Sequence, residues 1–158
     1  MRILGIDPGL GITGYGIIDA HKAKYKLIEA GVIRTDSKDK IPKRLFKIYT
    51  CLSELIDEHK PSVLVLEKLY AHYKHPTTAL LMGHARGVIC LLCGLKGMQL
   101  VNYPSTRIKK AVTGSGHASK DQVSGMIKNL LCLKSSPRPV DITDALAAAI
   151  SYTYIENL

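Results

Sequence analysis

Four acids in this chain stand where acids are costly or conspicuous. Asp7 closes the apolar run Arg2-Ile-Leu-Gly-Ile-Asp7, and Glu67 closes Ser62-Val-Leu-Val-Leu-Glu67. A carboxylate at the end of such a run must face solvent, a partner or a metal, because burying it unpaired costs several kcal/mol or leaves it protonated. Asp141 and Asp144 lie three residues apart in a stretch with helical period, so both project from one side of a helix. Four oxygen donors with no dedicated cluster of His or Cys suit a hard divalent ion, magnesium or manganese. Two such ions about 4 Å apart clamp a phosphodiester, one activating water and the other stabilising the leaving oxygen. Each acid also has a plain structural use. Asp7 can start a turn with Pro8-Gly9, Glu67 can pair with Lys68, and acids in the first turn of a helix are favoured by its dipole. Their joint occurrence in a basic chain is what favours a metal site.

The net charge of +9 is unevenly spread. Residues 1–67 hold 11 basic and 9 acidic side chains, residues 68–138 hold 11 basic ones and the single acid Asp121, and three acids without a base follow. A basic middle with an acidic end points to a polyanion-binding surface, nucleic acid first, over a merely solvated positive face. Arg107, Lys109 and Lys110 start one short helix and Lys120 begins the next. Between them lies Thr113-Gly-Ser-Gly-His117, a loop whose backbone N–H groups can approach phosphates closely.

The elements that must position these residues follow from periodicity. Ile3 to Asp7, Thr13 to Asp19 and Tyr25 to Thr35 read as three strands of an antiparallel meander. From Ile41 the period becomes helical, with Leu45, Ile48, Tyr49, Leu52, Leu55 and Ile56 on one face, until Pro61 stops it. Ser62 to Glu67 is a strand buried on both faces, the context of a central parallel strand. A basic, aromatic loop runs from Lys68 to His75 and a long helix from Pro76 to about Leu95; Met98 to Asn102 is a fifth strand. Helices follow at Ser105 to Val112, Lys120 to Leu131 and Asp141 to about Tyr154. The order β-β-β-α-β-α-β-α-α-α predicts an α/β protein of ribonuclease H-like fold, a mixed five-stranded sheet with helices on both faces. If strands one and four are neighbours, Asp7 and Glu67 emerge at the same edge, where open α/β sheets place their sites.

One domain, residues 1–158, is expected at this length. Four cysteines in a chain that opens on no secretory signal do not make a disulfide framework, and the Cys90/Cys93 pair lacks a second pair of ligands nearby. The window Thr77 to Leu95 is apolar but carries His84 and Arg86, which argues against a membrane span. A soluble, cytoplasmic protein is the expectation. The helix from Pro76 is apolar nearly all round, so a second face needs a cover besides the sheet. Leu80, Leu81, Gly83, His84 and Gly87 mark that face as a dimer surface, with burial inside one subunit as the competing reading.

In register along the chain, G-I-D-P-G at 5–9, T-G-Y-G at 13–16, V-L-E at 65–67, G-H-A-R-G at 83–87, A-x-K-x-Q-V at 118–123 and D-I-T-D-A-L-A at 141–147 resemble the RuvC family of crossover (Holliday) junction endodeoxyribonucleases. The resemblance implies a magnesium-dependent homodimer, with manganese accepted and two ions per site. It would cut opposed strands of a four-way DNA junction during recombination and repair, leaving 5′-phosphates and ligatable nicks, alongside the RuvA–RuvB branch-migration complex. By position it implies Asp7, Glu67, Asp141 and Asp144 as catalytic acids, some relatives having His at the third, and Lys109 and Lys120 as DNA-handling lysines. Tyr70 falls where Phe is more familiar and keeps a ring to stack on a base; Lys68 replaces a common Gln. On the same analogy Pro8-Gly9 and the glycines after it read as space for a phosphate. Two rivals stand beside this reading. A non-catalytic branched-DNA-binding protein needs the basic surface but not four acids. An ATP-binding domain of the actin and sugar-kinase type shares the Asp-x-Gly turn but needs a second domain and a second phosphate loop.

Overall fold

Strand alternation decides which side of the sheet each acid serves. In the computed structural model, which describes residues 1–22, 24–68 and 76–158, β1 (Arg2–Asp7) pairs antiparallel with β2 (Ile12–His21), and β2 with β3 (Lys24–Arg34). After α1 (Ile41–His59), β4 (Val63–Glu67) lies parallel to β1. After α2 (Pro76–Leu95), β5 (Gln99–Tyr103) lies parallel to β4. Helices α3 (Ser105–Thr113), α4 (Lys120–Leu130) and α5 (Val140–Ile155) complete the chain. The sheet order is β3-β2-β1-β4-β5, so strands one and four are neighbours as the site required.

Successive strand residues point to opposite faces. Leu4 and Ile6 of β1, with Leu64 and Leu66 of β4, pack with Ile48 and Leu52 of α1 and Ile89 and Leu92 of α2. Ile3, Val63 and Val65 pack on the other face with Ile108, Val123, Ile127, Leu146 and Ile150 of α3, α4 and α5. Asp7 shares the parity of Ile3, and Glu67 that of Val63 and Val65. Both acids therefore leave the sheet on the side of α5, where the helical pair Asp141 and Asp144 resides. Helix α1 ends as its sequence requires: Lys60 takes a left-handed turn (φ 49°) before Pro61, which cannot continue a helix.

Three glycines of the opening stretch, Gly5, Gly14 and Gly16, serve this packing. Gly5 and Gly16 face each other across β1 and β2, and Gly14 pairs with Asp7. A Cβ on Gly5 would lie 2.0 Å from the carbonyl oxygen of Ala145, on Gly14 2.2 Å from that of Asp141, and on Gly16 2.5 Å from Leu146 Cδ2. Helix α5, lined with Ala145, Ala147, Ala148 and Ala149, rests directly on this glycine floor. A Cβ on Gly9 would meet the Ile12 carbonyl at 2.3 Å, and of these glycines only Gly11 has room, with Arg44 Nη2 its nearest neighbour at 4.0 Å. At Gly5, Gly9 and Gly14 the space a side chain would take is thus filled by the protein's own backbone.

Helix α2 is long and apolar enough to cross a membrane by length and composition, yet Ala85, Ile89, Leu92 and Cys93 are buried against the sheet. The four cysteines are free thiols.

Candidate active site

At the carboxyl ends of β1 and β4, Asp7, Glu67 and Asp144 line one pocket of about 260 Å³ with Ser105, Ile108, Lys109, Lys120, Val123 and Ala147. Asp7 and Glu67 arrive from adjacent parallel strands; Asp144 arrives from the second turn of α5, the helix that rests on the glycine floor. Asp141 does not line the pocket itself. Its backbone lies over Gly14, the β2 partner of Asp7, so its charge still reaches the site.

The electrostatics register this crowding. Burial, then repulsion from Asp144, Asp141 and Glu67, pushes the Asp7 carboxyl up to about 7, against the pull of Lys120. Burial, with repulsion from Asp144, also raises Glu67, opposed by neighbouring Ser105 and by Lys109 and Lys120. Asp144 is raised by burial and by Asp141 while Lys120 and Lys109 hold it down. Lys120 is placed by a capping box: Ser119 Oγ accepts from the Gln122 N–H (3.2 Å) and Gln122 Oε1 accepts from the Ser119 N–H (2.8 Å). This starts α4 at Lys120, whose Nζ stands 3.6 Å from Asp144 Oδ2.

The pocket is thus a nest of raised carboxylates with two lysines on its wall. Among the described residues no group of three or more His, Cys, Asp or Glu side chains stands close enough to form a finished metal cage. The donor set nonetheless fits hard divalent cations: all oxygen, converging at one place, with protonation that positive charge would reverse.

A family model described as "Crossover junction endodeoxyribonuclease RuvC" matches residues 3–152. The chain belongs to the RuvC family. A crossover junction endodeoxyribonuclease RuvC of Rhodopirellula baltica is 45% identical over 155 residues, 98% of this chain and 87% of that protein. Its counterpart in Alkaliphilus metalliredigens is 44% identical, over 98% and 93%. The structure of Thermus thermophilus RuvC in complex with a Holliday junction substrate superposes with a TM-score of 0.94 at 28% identity, covering 99% of this chain and 94% of that one. The fold is accordingly ribonuclease H-like, as the order of elements predicted, and RuvC nucleases are metal-dependent.

Not every residue expected at a RuvC site falls inside the pocket. Lys109 and Lys120 do; Lys110 is exposed outside it, and Arg107 lies over the Tyr103 ring at 5.2 Å. Tyr70 lies outside the described residues. On α2, Leu80 is 68% exposed, His84 is exposed and a Cβ on Gly83 or Gly87 would meet open space, whereas Leu81 leans partly onto the core. Ser105 escaped sequence reasoning. Its trace is its position at the start of α3, immediately after β5 and Pro104 at the site's edge.

Proposed function

We propose that this chain is a magnesium-dependent, structure-specific endonuclease that resolves four-way DNA junctions by paired symmetric nicks in recombination and repair. Asp7, Glu67, Asp141 and Asp144 are its metal-holding acids. The observation that carries this reading is the meeting of Asp7, Glu67 and Asp144 in one pocket walled by Lys109 and Lys120, in a RuvC-family chain. Divalent cations, two per site, with manganese able to replace magnesium, would supply an activated water and counter-charge for the leaving oxygen.

The chain's own residues do the rest. Lys109 and Lys120 neutralise and orient the scissile phosphate beside the acids. Ser105 lines the pocket with Glu67 and favours its charged form. Arg107 and Lys110, outside the pocket on α3, contact flanking phosphates, which set affinity and register but carry little sequence information. The exposed face of α2, with Leu80, Gly83, His84 and Gly87 and the partly buried Leu81, pairs two copies so that two sites meet opposed strands. The setting is the cytoplasm, in company with a RuvA–RuvB branch-migration complex.

The test is cleavage of a synthetic four-way junction with magnesium or manganese. Paired nicks that vanish in Asp7→Asn, with DNA binding retained, are expected. Absence of cleavage on every branched DNA with either ion would return the chain to the non-catalytic binder.

A further inference from the structure

The acid-bearing end of β4 lacks a hydrogen-bond donor, and a side chain from α2 supplies it. The Ser62 carbonyl accepts from the Gln99 N–H (3.3 Å) and the Lys68 N–H donates to the Tyr103 carbonyl (2.8 Å). Flanking β4, the Ser62 carbonyl and the Lys68 N–H thus face β5, although the Ser62 N–H itself donates to the Arg2 carbonyl (3.0 Å), and alternation along the strand turns the Glu67 carbonyl toward β1. In a parallel ladder, a carbonyl takes its bond from the residue one beyond its partner. The register Ile6↔Leu66, continued by one residue, sets Asp7 beside Glu67. The donor due to the Glu67 carbonyl is then residue 8, a proline, which has no N–H.

Arg86 of α2 makes up the loss. Its Nη1 donates to the Glu67 carbonyl at 2.7 Å, and its Nη2 donates to Oδ1 of Asn102 on β5. One guanidinium ties α2 to two strands at the level of the acid. The Glu67 bond goes to the backbone, so what Arg86 fixes is where the strand ends. We propose that Arg86 is a positioning residue for the nuclease reaction, replacing the donor that Pro8 withholds and so setting the Glu67 carboxylate opposite Asp7 and Asp144. A shift of α2 would move that carboxylate. The inference rests on the functional reading above.

The test uses the full chain and two readouts: Mn²⁺ binding by electron paramagnetic resonance without DNA, and single-turnover cleavage at saturating junction. Arg86→Gln should weaken Mn²⁺ binding and slow cleavage by about 10- to 100-fold, the usual cost of losing an outer partner of a metal ligand, with junction affinity unchanged. Arg86→Lys, which keeps one charged donor, should recover part of both. Adding Pro8→Ala to Arg86→Gln restores a backbone N–H at residue 8 and should recover part of the Mn²⁺ affinity, as a role confined to packing would not. No recovery overturns the replacement of that donor. Should Arg86→Gln fail to fold, Asn102→Ala should weaken Mn²⁺ binding while Asn102→Asp retains it. Unchanged Mn²⁺ affinity and cleavage in folded Arg86→Gln, or in Asn102→Ala, overturns the proposal. A wild-type chain that binds Mn²⁺ but cuts no junction overturns the functional reading instead, and the Mn²⁺ measurement still decides the role of Arg86.

Discussion

The Nζ of Lys120 stands 3.6 Å from Oδ2 of Asp144, joining the first residue of α4 to the second turn of α5 in the wall of the pocket that both line. Lys120 is 69% exposed, so the pair is screened and contributes at most about 1 kcal/mol to stability. Its consequence lies in the charge it lends to the acids, since Lys120 lowers the carboxyls of Asp7, Glu67 and Asp144. Lys120→Gln should leave the thermal midpoint nearly unchanged, slow cleavage, and move the acid limb of the pH–rate profile to higher pH. A profile that keeps its position in the variant would remove Lys120 from the electrostatics of the site.

Asp7 makes the metal-free fold sensitive to pH in a definite direction. Its folded carboxyl stands at about 7, above its ordinary value of 3.8, so between those values the native state binds more protons than the unfolded one. Stability then falls as pH rises through that window and levels off above it. Asp7→Asn removes the titrating charge and should raise the metal-free thermal midpoint at pH 8 relative to wild type while leaving pH 4 little affected. The same variant should lose cleavage by more than the roughly 100-fold that an outer partner costs. Wild-type affinity for magnesium should decline below pH 7, because the acid must shed its proton to take a cation. Titrations of the midpoint with pH and magnesium read both effects.

The glycine floor predicts a contrast between neighbouring positions. Gly5→Ala drives a methyl against the backbone of Ala145 and Ala149, at 2.0 and 2.7 Å, where nothing can yield without lifting α5. A loss of about 3 kcal/mol or more is expected from such overpacking, together with reduced metal affinity as Asp144 rises with the helix. Gly11→Ala meets only the end of Arg44 at 4.0 Å and should stay within about 0.5 kcal/mol of wild type. Denaturant titration of the two variants checks the difference, and similar losses would sink the account of the floor.

These glycines also mark where sequence reasoning stops. Asp7 and Glu67 were legible because alternation and an apolar run are local properties, and the helical spacing of Asp141 and Asp144 is equally local. The adjacency of β1 and β4 is not local; it follows from how the crossover through α1 returns, and fold analogy supplied it. Whether a glycine leaves room for a ligand or for another part of the chain depends on a tertiary approach that no spacing records. The Arg86 contact was hidden for a related reason. Its target is a backbone carbonyl, which carries no residue identity, and the only trace in the sequence is the proline at position 8. Ser105 likewise acquires its role from the strand end it happens to face.

Helix α2 presents a stripe to solvent at heptad-like spacing. Leu80, Leu91 and Leu95 are 68%, 60% and 63% exposed, with His84 and Gly87 exposed between them and open space over Gly83, Gly87 and Gly94. Large aliphatic side chains in such a row are costly to leave in water, and small residues among them let a second helix approach closely. Two copies packed through this stripe would bury it and hold two sites at a fixed separation. Leu91→Glu places a charge in the row without touching the buried positions Ala85, Ile89, Leu92 and Cys93. The variant should elute at half the wild-type mass by light scattering, fold normally and bind Mn²⁺ as before. On a four-way junction it should lose the coupled second nick more severely than the first. A wild-type chain that is monomeric at micromolar concentration, or a variant that remains dimeric, would place the subunit contact elsewhere.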